Sequence, residues 1–356
     1  MDKYIYIIKM GFVAFPFLAF LITFPFMIHN YHKHGSISKL RTIIIYSFVL
    51  YLLCAYFLII LPLLTIAEVA SLTTPRMQLI PFSFLTDFIT KSGFIISNFS
   101  TYLPVIKSNY FIQPIFNIVL TIPFGVYLHY YFKCSWFKTV LFSFLLSLFF
   151  ELTQLSGLYF IYPRGYRLFD VDDLFLNTLG GCLGYFVANI FIKILPSRDK
   201  IDEISYENSK NVSGIRRLTA LFLDFIILII IAGIIYGLRF KEYFLLIYVI
   251  VALILIVIIP MVLGATIGEK IVNIKEVNVD NKKIYTFLTY LFRSLMLYIS
   301  PFFLLYESFQ GKEIIFIFLL FIDFIYGFIT FFKVLGANDL FFEKMFHSNY
   351  ENTLIK

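Results

Sequence analysis

The amino-acid sequence predicts an all-α, polytopic transmembrane protein with about nine spanning helices. Hydrophobic residues make up 60% of the 356 residues and charged residues only 14%, whereas a soluble domain carries roughly 25% charged residues. The mean hydropathy is +0.87. The apolar residues are gathered in long runs, and a helix needs about 20 mainly apolar residues to cross a bilayer. Composition and run length therefore both place most of the chain in a membrane.

The apolar runs favour helices over a transmembrane β-barrel. A barrel strand needs only about 10 residues, with strict alternation of apolar and polar side chains. Runs such as Phe244–Ile259 are apolar on every face, and a helix satisfies its own backbone hydrogen bonds in lipid. The predicted spanning helices cover residues 4–28, 42–66, 110–132, 137–158, 174–195, 217–239, 242–263, 284–308 and 312–332.

The distribution of Lys and Arg predicts the orientation. With the N-terminus outside, 18 of these residues fall in cytoplasmic loops and ends, and 10 fall outside. Because Lys and Arg accumulate on the cytoplasmic side of membrane proteins, we expect an N-out, C-in topology.

One polar segment divides the chain. Residues 196–215 are polar and charged with no apolar run, as is typical of a linker between domains. We therefore predict a membrane domain of about five helices over 1–195, a cytoplasmic linker over 196–215, and a membrane domain of about four helices plus a tail over 216–356. The long connection 67–109 predicts an interfacial or re-entrant segment around Phe82–Phe99.

A set of polar residues lies at the end of the fourth predicted helix and the start of the fifth. Glu151 and Gln154 share one helix face, and Asp170, Asp173 and Asn177 form a stripe if the fifth helix begins near Asp170. We expect the two sets to face each other, with two loop arginines able to neutralise them. The candidate cluster is Glu151, Gln154, Arg164, Arg167, Asp170, Asp173 and Asn177.

Two interpretations of this cluster compete. Polar groups in spanning helices are functional candidates by default, and Glu151, inside an apolar run, favours function. The alternative is a purely structural role, in which the residues form a buried network that fixes helix packing. For Asp170 and Asp172 that alternative is at least as strong, because acids at a helix N-terminus are stabilised by the helix dipole. The DVDD sequence lacks the glycine and distal glutamate of an EF-hand loop, so we predict no metal site.

The motifs of this half occur in a recognisable order. They are Leu79-Ile-Pro-Phe82, Asn117, Ile122-Pro-Phe-Gly125, Glu151-Leu-Thr-Gln154, and Asp170-x-x-Asp173-x-x-x-Asn177-x-x-Gly180-Gly181-x-x-Gly184. In this order and spacing, residues 40–195 resemble the VanZ-like family. The resemblance implies a bacterial plasma-membrane protein, and some members of the family are linked to teicoplanin-type glycopeptide resistance.

The second half carries charges within or beside apolar segments. Asp224 lies about seven residues into a span, where an isolated carboxylate costs about 2.5 to 3.5 kcal/mol at the helix centre. We expect Arg293 to compensate it, with Arg216 or Arg217 as weaker alternatives. A static ion-pair network is favoured over a proton or cation pathway. The candidate intramembrane charges are Arg216, Arg217, Asp224, Arg293, Asp323 and Asp339.

The same half resembles a second family. Gly214-Ile-Arg216-Arg217-x-x-x-x-x-x-Asp224, followed by Gly264-Ala-Thr-Ile-Gly268-Glu-Lys270 and Asn338-Asp339, is similar to the RDD family over about 212–345. The sequence departs from the family pattern after Asp339. The resemblance implies a membrane domain, with ion transport proposed for some members.

Three functions follow in order of preference. The first is an envelope-related protein of VanZ-like and RDD type that contributes to glycopeptide resistance. The second is a proton- or cation-linked transporter using Asp224, Arg293 and Asp323. The third is an intramembrane enzyme that acts on a lipid or lipid-linked wall precursor with Glu151 and Asp173 as acid and base, ranked last because no nucleophile is evident. The expected partners are the lipid bilayer and a glycopeptide antibiotic or lipid-linked wall precursor. We predict no nucleic-acid partner and no cofactor, and the sequence does not indicate an oligomeric state.

Overall fold

The computed structural model describes residues 2–237, 243–309 and 314–354. Within them, nine helices are long and apolar enough to span a bilayer, which confirms the predicted fold class. They are α1 (Asp2–His34), α2 (Lys39–Ile60), α3 (Asn109–Tyr130), α4 (Trp136–Leu155), α5 (Val171–Ile194), α6 (Gly214–Gly237), α7 (Phe244–Leu263), α8 (Lys283–Ser308) and α9 (Ile314–Leu335). Residues 238–239, 242 and 312–313 of the predicted spans lie outside the described residues. The orientation stays a prediction.

The chain divides into two compact units. The first comprises Met1–Leu21 and Lys39–Ile201, and the second comprises Ile22–Ser38 and Asp202–Lys356. The two halves of α1 are thus grouped with different units. The predicted linker 196–215 contains a helix, Arg198–Asn208.

In the first unit, α3 and α5 pack backbone to backbone through glycine. A Cβ atom added at Gly184 would overlap the carbonyl oxygen of Ile122, and one at Gly125 would overlap the carbonyl oxygen of Gly181. Small residues in spanning helices permit this approach. The polar stripe of α5 is therefore held directly against α3.

The loops of the first unit carry a two-stranded parallel pairing. Strand β1 (Met77–Gln78) pairs with β2 (Phe169–Asp170), with Gln78 opposite Asp170. The connection 67–109 contains no helix long enough to span. Its short helices are Ile66–Ala70, Ser83–Lys91, a 3₁₀ turn at Phe99–Thr101, and Tyr102–Ile106.

The second unit combines spanning helices with a small antiparallel sheet. The core of the helices is apolar and includes Leu228, Tyr248, Ile256 and Tyr298. Strand β3 (Ile274–Asn278) pairs with β4 (Ser348–Asn352), and short helices at Ile267–Ile271 and Phe341–Met345 precede the two strands. A π-helical turn follows Arg293 directly within α8.

Candidate functional site

A polar cavity of about 360 Å³ lies in the first unit. Its charged and amide side chains come from α3, α4, α5 and the loop before α5, and apolar side chains from α2, α3 and two loops complete its wall. The lining residues are Leu58, Ile59, Leu61, Gln113, Phe116, Asn117, Leu120, Glu151, Gln154, Arg167, Leu168, Asp173 and Asn177. We refer to it as the acidic cavity. Five residues of the predicted cluster are brought together here: Glu151, Gln154, Arg167, Asp173 and Asn177.

The glycine-mediated contact of α3 with α5 places one carboxylate of the cavity. Asn117 of α3 donates a hydrogen bond from Nδ2 to Oδ1 of Asp173 on α5. One turn further along, Thr121 Oγ1 donates to the carbonyl oxygen of Asn177 at 2.7 Å. The position of Asp173 is therefore set by polar contacts across the helix pair as well as by packing.

The other carboxylate belongs to Glu151, close to the end of α4. Its side chain is only 2% exposed. The backbone amide of Asp170 donates to Glu151 Oε2 at 2.9 Å, so the chain that enters α5 binds the glutamate directly. Gln154, on the same face, donates to the carbonyl oxygen of Ile59 at 3.2 Å.

The two loop arginines have different positions. Arg167 lines the cavity and donates from Nη2 to the carbonyl oxygen of Leu61 at 2.6 Å. Arg164 donates instead to the carbonyl oxygens of Leu72 and Thr74 and is not among the residues that line the cavity. The expectation that Arg164 lies against the acids was wrong, because the loop carbonyls bind its guanidinium.

A second cavity of about 240 Å³ shares Asp173, Gln113 and Leu168 with the first. Asp170 lines it, and its carboxylate accepts the backbone amide of Asp172 at 2.9 Å as the N-cap of α5. Burial raises the pKa of Asp170 above its ordinary value, and the neighbouring acids Asp172 and Asp87 raise it further. Among the described residues, no group of three or more His, Cys, Asp or Glu is placed to hold a metal ion.

Asp172, which the predicted cluster omitted, has a clear structural role. It is 1% exposed and accepts three hydrogen bonds: from the backbone amide of Phe82 at 2.5 Å, from Ser83 Oγ at 2.7 Å and from the backbone amide of Phe84 at 2.9 Å. The acid thus fixes the segment after β1 to the start of α5. No spacing rule in the sequence links these positions.

In the second unit, the two arginines at the start of α6 bind residues that follow α7 and α9 in the chain. Arg216 is fully buried and donates to the carbonyl oxygens of Val272 and Asn273 at 2.7 and 2.8 Å. Arg217 donates to Glu343 Oε2 at 2.5 Å, and its guanidinium lies 4.3 Å from the ring centroid of Tyr350.

Arg293 lies at the centre of a buried charge network. It donates to Glu269 Oε1 at 2.6 Å and to Glu276 Oε2, and both acids are almost fully buried. Tyr350 of β4 contributes a third contact, its hydroxyl lying 2.6 Å from Arg293 Nη2. One cation is therefore matched by two carboxylates and a phenol.

Asp224 is stabilised by neutral donors. Thr266 Oγ1 and the backbone amide of Gly268 each donate to its carboxylate at 2.6 Å. The expected direct pairing of Asp224 with Arg293 was wrong, because Arg293 binds Glu269 and Glu276 instead.

The remaining predicted charges do not join this network. Asp323 on α9 lies in an apolar pocket, with Ser300 Oγ at 3.2 Å. Asp339 lies beyond the end of α9 at Leu335, in the loop before Phe341–Met345. Its assignment as an intramembrane charge was therefore wrong.

Sequence reasoning missed the three acids that compensate the arginines: Glu269, Glu276 and Glu343. A signal was present for Glu269, because Thr266-x-x-Glu269 is a capping box, a pattern that marks a helix start. Glu276 is a charged residue in an otherwise strand-like stretch, Ile274–Asn278. Neither pattern identifies an arginine as the partner.

This fold and this cavity define a multi-pass helical membrane protein with an acid-lined polar site in its first unit and a buried arginine network in its second. Residues 48–192 match the family model described as VanZ/LLP1, and residues 212–339 match the model described as the RDD family. The chain thus carries a VanZ/LLP1-type segment followed by an RDD-type segment, in the order that the sequence motifs predicted. No curated protein and no solved structure matches the chain.

Proposed function

We propose that this protein is a bacterial plasma-membrane protein that binds the polar group of an envelope molecule in the acidic cavity and thereby alters susceptibility to glycopeptide antibiotics. The observation that carries the proposal is that Glu151 and Asp173 line one cavity bounded by spanning helices. Ionisable groups at such positions are costly and mark sites of function. The VanZ/LLP1 match over 48–192 supports the link to the envelope.

The chemical groups that line the acidic cavity favour the binding of a polar group over a catalysed reaction. Among the described residues that line it, the polar side chains are carboxylates, amides and one guanidinium, with no hydroxyl, thiol or amine. Carboxylates can act as nucleophiles, but the hydroxyl, thiol and amine groups that covalent catalysis more often uses are not among these lining residues. The intramembrane enzyme therefore ranks below a binding protein.

Transport through the second unit also ranks below ligand binding in the acidic cavity as a function of this protein. The charges of Arg217 and Arg293 are matched by buried glutamates at hydrogen-bonding distance, and Asp224 is held by Thr266 and Gly268. Such contacts are typical of a fixed network. A pathway would need these groups to exchange partners with a moving ion.

The test is drug susceptibility in a bacterial strain that lacks the protein. We expect the wild-type chain to raise the minimum inhibitory concentration of teicoplanin, and Glu151→Gln and Asp173→Asn to abolish that increase at normal membrane expression. Glu207→Gln, which changes an exposed acid of the helix Arg198–Asn208, is the matched control and should act like wild type. Unchanged susceptibility on expression of the wild-type protein would refute the proposal, and proton or cation flux in liposomes would favour a transporter.

A further inference from the structure

The acidic cavity contains a buried acceptor that the protein does not satisfy. Asn177 is 2% exposed and lines the cavity. Its Nδ2 donates to Ser147 Oγ at 3.0 Å, which fixes the orientation of the amide. Its Oδ1 is buried and has no hydrogen-bond partner among the described residues. A buried carbonyl without a donor is costly and calls for an explanation.

The two carboxylates of the cavity are also only partly engaged. Among the described residues, the side chain of Glu151 accepts one hydrogen bond, from the backbone amide of Asp170. The side chain of Asp173 also accepts one, from the side-chain amide of Asn117. Each carboxylate can accept several hydrogen bonds. The cavity therefore combines three side chains that can accept from a ligand: Glu151, Asp173 and Asn177.

Carboxyl groups outnumber cations in the cavity. Its two acids face one cation, Arg167, and a guanidinium hydrogen of that arginine is already bound by the carbonyl oxygen of Leu61. An anionic ligand such as a phosphate would meet two carboxylates. A metal ion finds no suitable group of His, Cys, Asp or Glu ligands among the described residues.

We infer that the ligand group of the acidic cavity is a protonated amine, whose N–H groups donate to Glu151, Asp173 and Asn177. An ammonium carries three donors and no acceptor, which complements three open acceptors in a cavity that holds two acids and one cation. The inference rests on the proposed function and specifies its ligand chemistry. The amine can belong to an aminophospholipid headgroup or to a soluble molecule, and the experiment distinguishes the two.

The first experiment uses the full-length wild-type protein. Native mass spectrometry would measure lipid retention in detergent for phosphatidylethanolamine, its N,N-dimethyl derivative, phosphatidylcholine and phosphatidylglycerol with identical acyl chains. Retention should fall as N–H groups are replaced by methyl groups, and by more than about tenfold from the first lipid to phosphatidylcholine, because tenfold is the factor expected for the loss of a single charge-assisted hydrogen bond. Phosphatidylglycerol should be retained least.

The second experiment assigns the binding to the cavity and identifies the source of the amine. Glu151→Gln and Asn177→Leu should remove the preference for phosphatidylethanolamine, and Glu207→Gln should keep it. Displacement of the lipid by free ethanolamine would support a headgroup site. Binding of ethanolamine without any lipid preference, lost in Glu151→Gln, would support a soluble amine.

Two outcomes overturn the inference. Phosphatidylglycerol or phosphatidylcholine could be retained to the same extent as phosphatidylethanolamine, in a manner that depends on Glu151. In that case the cavity binds headgroups without recognising an amine, and the proposed function stands. If neither lipid nor ethanolamine binds in a manner that depends on Glu151, the amine is excluded. The susceptibility test then decides separately whether the proposed function also fails.

Discussion

Asp172 accepts a hydrogen bond from the backbone amide of Phe84 at 2.9 Å, although 88 residues separate the two positions. The same carboxylate accepts from Phe82 and Ser83. A single acid at the start of α5 therefore anchors the start of the short helix Ser83–Lys91, which lies beside the second cavity. This contact is a matter of stability, and it can be separated from ligand binding.

Replacing Asp172 should destabilise the first unit. In Asp172→Asn only one oxygen remains to accept, so at least one buried donor loses its partner, at a cost of about 1 to 3 kcal/mol. Unfolding in mixed micelles titrated with SDS would measure the loss. Asp87→Asn, which removes an exposed pair with Lys91, should cost much less, because exposed ion pairs contribute little to stability. Equal losses in both variants would contradict the assigned role.

The contact of α3 with α5 should not tolerate a methyl group. Gly184→Ala places a Cβ against the carbonyl oxygen of Ile122, and such overpacking typically costs about 1 to 3 kcal/mol. Because the helices must separate, the hydrogen bond from Asn117 to Asp173 should weaken and ligand retention should fall. Gly233→Ala in α6, where nothing lies within 4 Å of the added atom, should be neutral or stabilising. A Gly184→Ala variant as stable as wild type would show that the helices pack more loosely.

Arg293 should be coupled more strongly to Glu276 than to Asp224. Arg293→Gln leaves Glu269 and Glu276 buried without their cation, a change that costs about 3 to 5 kcal/mol. The double variant Arg293→Gln/Glu276→Gln should recover part of that loss. The pair Arg293→Gln/Asp224→Asn should be closer to additive, because Asp224 takes its hydrogen bonds from Thr266 and Gly268. The two double-mutant cycles, measured by SDS titration, check the order of the couplings.

Asp170→Asn should stabilise the protein at neutral pH. The raised pKa of Asp170, caused first by burial, means that the folded state disfavours the ionised form. Stability is therefore highest below the unfolded pKa and is lost as pH rises through the folded value. Asn is as good an N-cap as Asp, so the variant keeps the hydrogen bond to Asp172 and removes the charge. Thermal stability in detergent should exceed that of wild type at pH 7 and equal it at pH 3, and the opposite trend would refute this account.

The N-out, C-in orientation can be tested with single cysteines. Ile161 is 67% exposed in the loop between α4 and α5, and Glu207 is exposed in the helix Arg198–Asn208. After replacement of Cys54, Cys134 and Cys182 by serine, Ile161→Cys should react with an impermeant maleimide added outside the cell. Glu207→Cys should react only after the membrane is opened. The reverse pattern would invert the topology.

The fold could be predicted from the sequence because the length of an apolar run depends on local composition alone. The grouping of Glu151, Asp173 and Asn177 was also within reach, since helical spacing and the glycines of α5 fix which face meets a neighbour. The hydrogen bond from Asn117 to Asp173 could not be predicted, because it depends on how two helices that are distant in sequence are aligned. The predicted pairing of Asp224 with Arg293 was wrong for a different reason. Apolar context indicates that a charge needs a partner, yet the donors came from Thr266 and Gly268 at the start of the short helix Ile267–Ile271, whose position against α6 the pattern does not reveal.

The late position of β4 has a consequence for biosynthesis. Asn352 contacts Arg216 across 136 residues of sequence, and Tyr350 of the same strand contacts Arg293. The ribosome therefore delivers both arginines to the translocon well before their tail-derived partners have been synthesised. The second unit reaches its final state only after translation has passed β4. A nascent chain released after residue 345 would lack one hydrogen-bonding partner of each arginine, Asn352 for Arg216 and Tyr350 for Arg293.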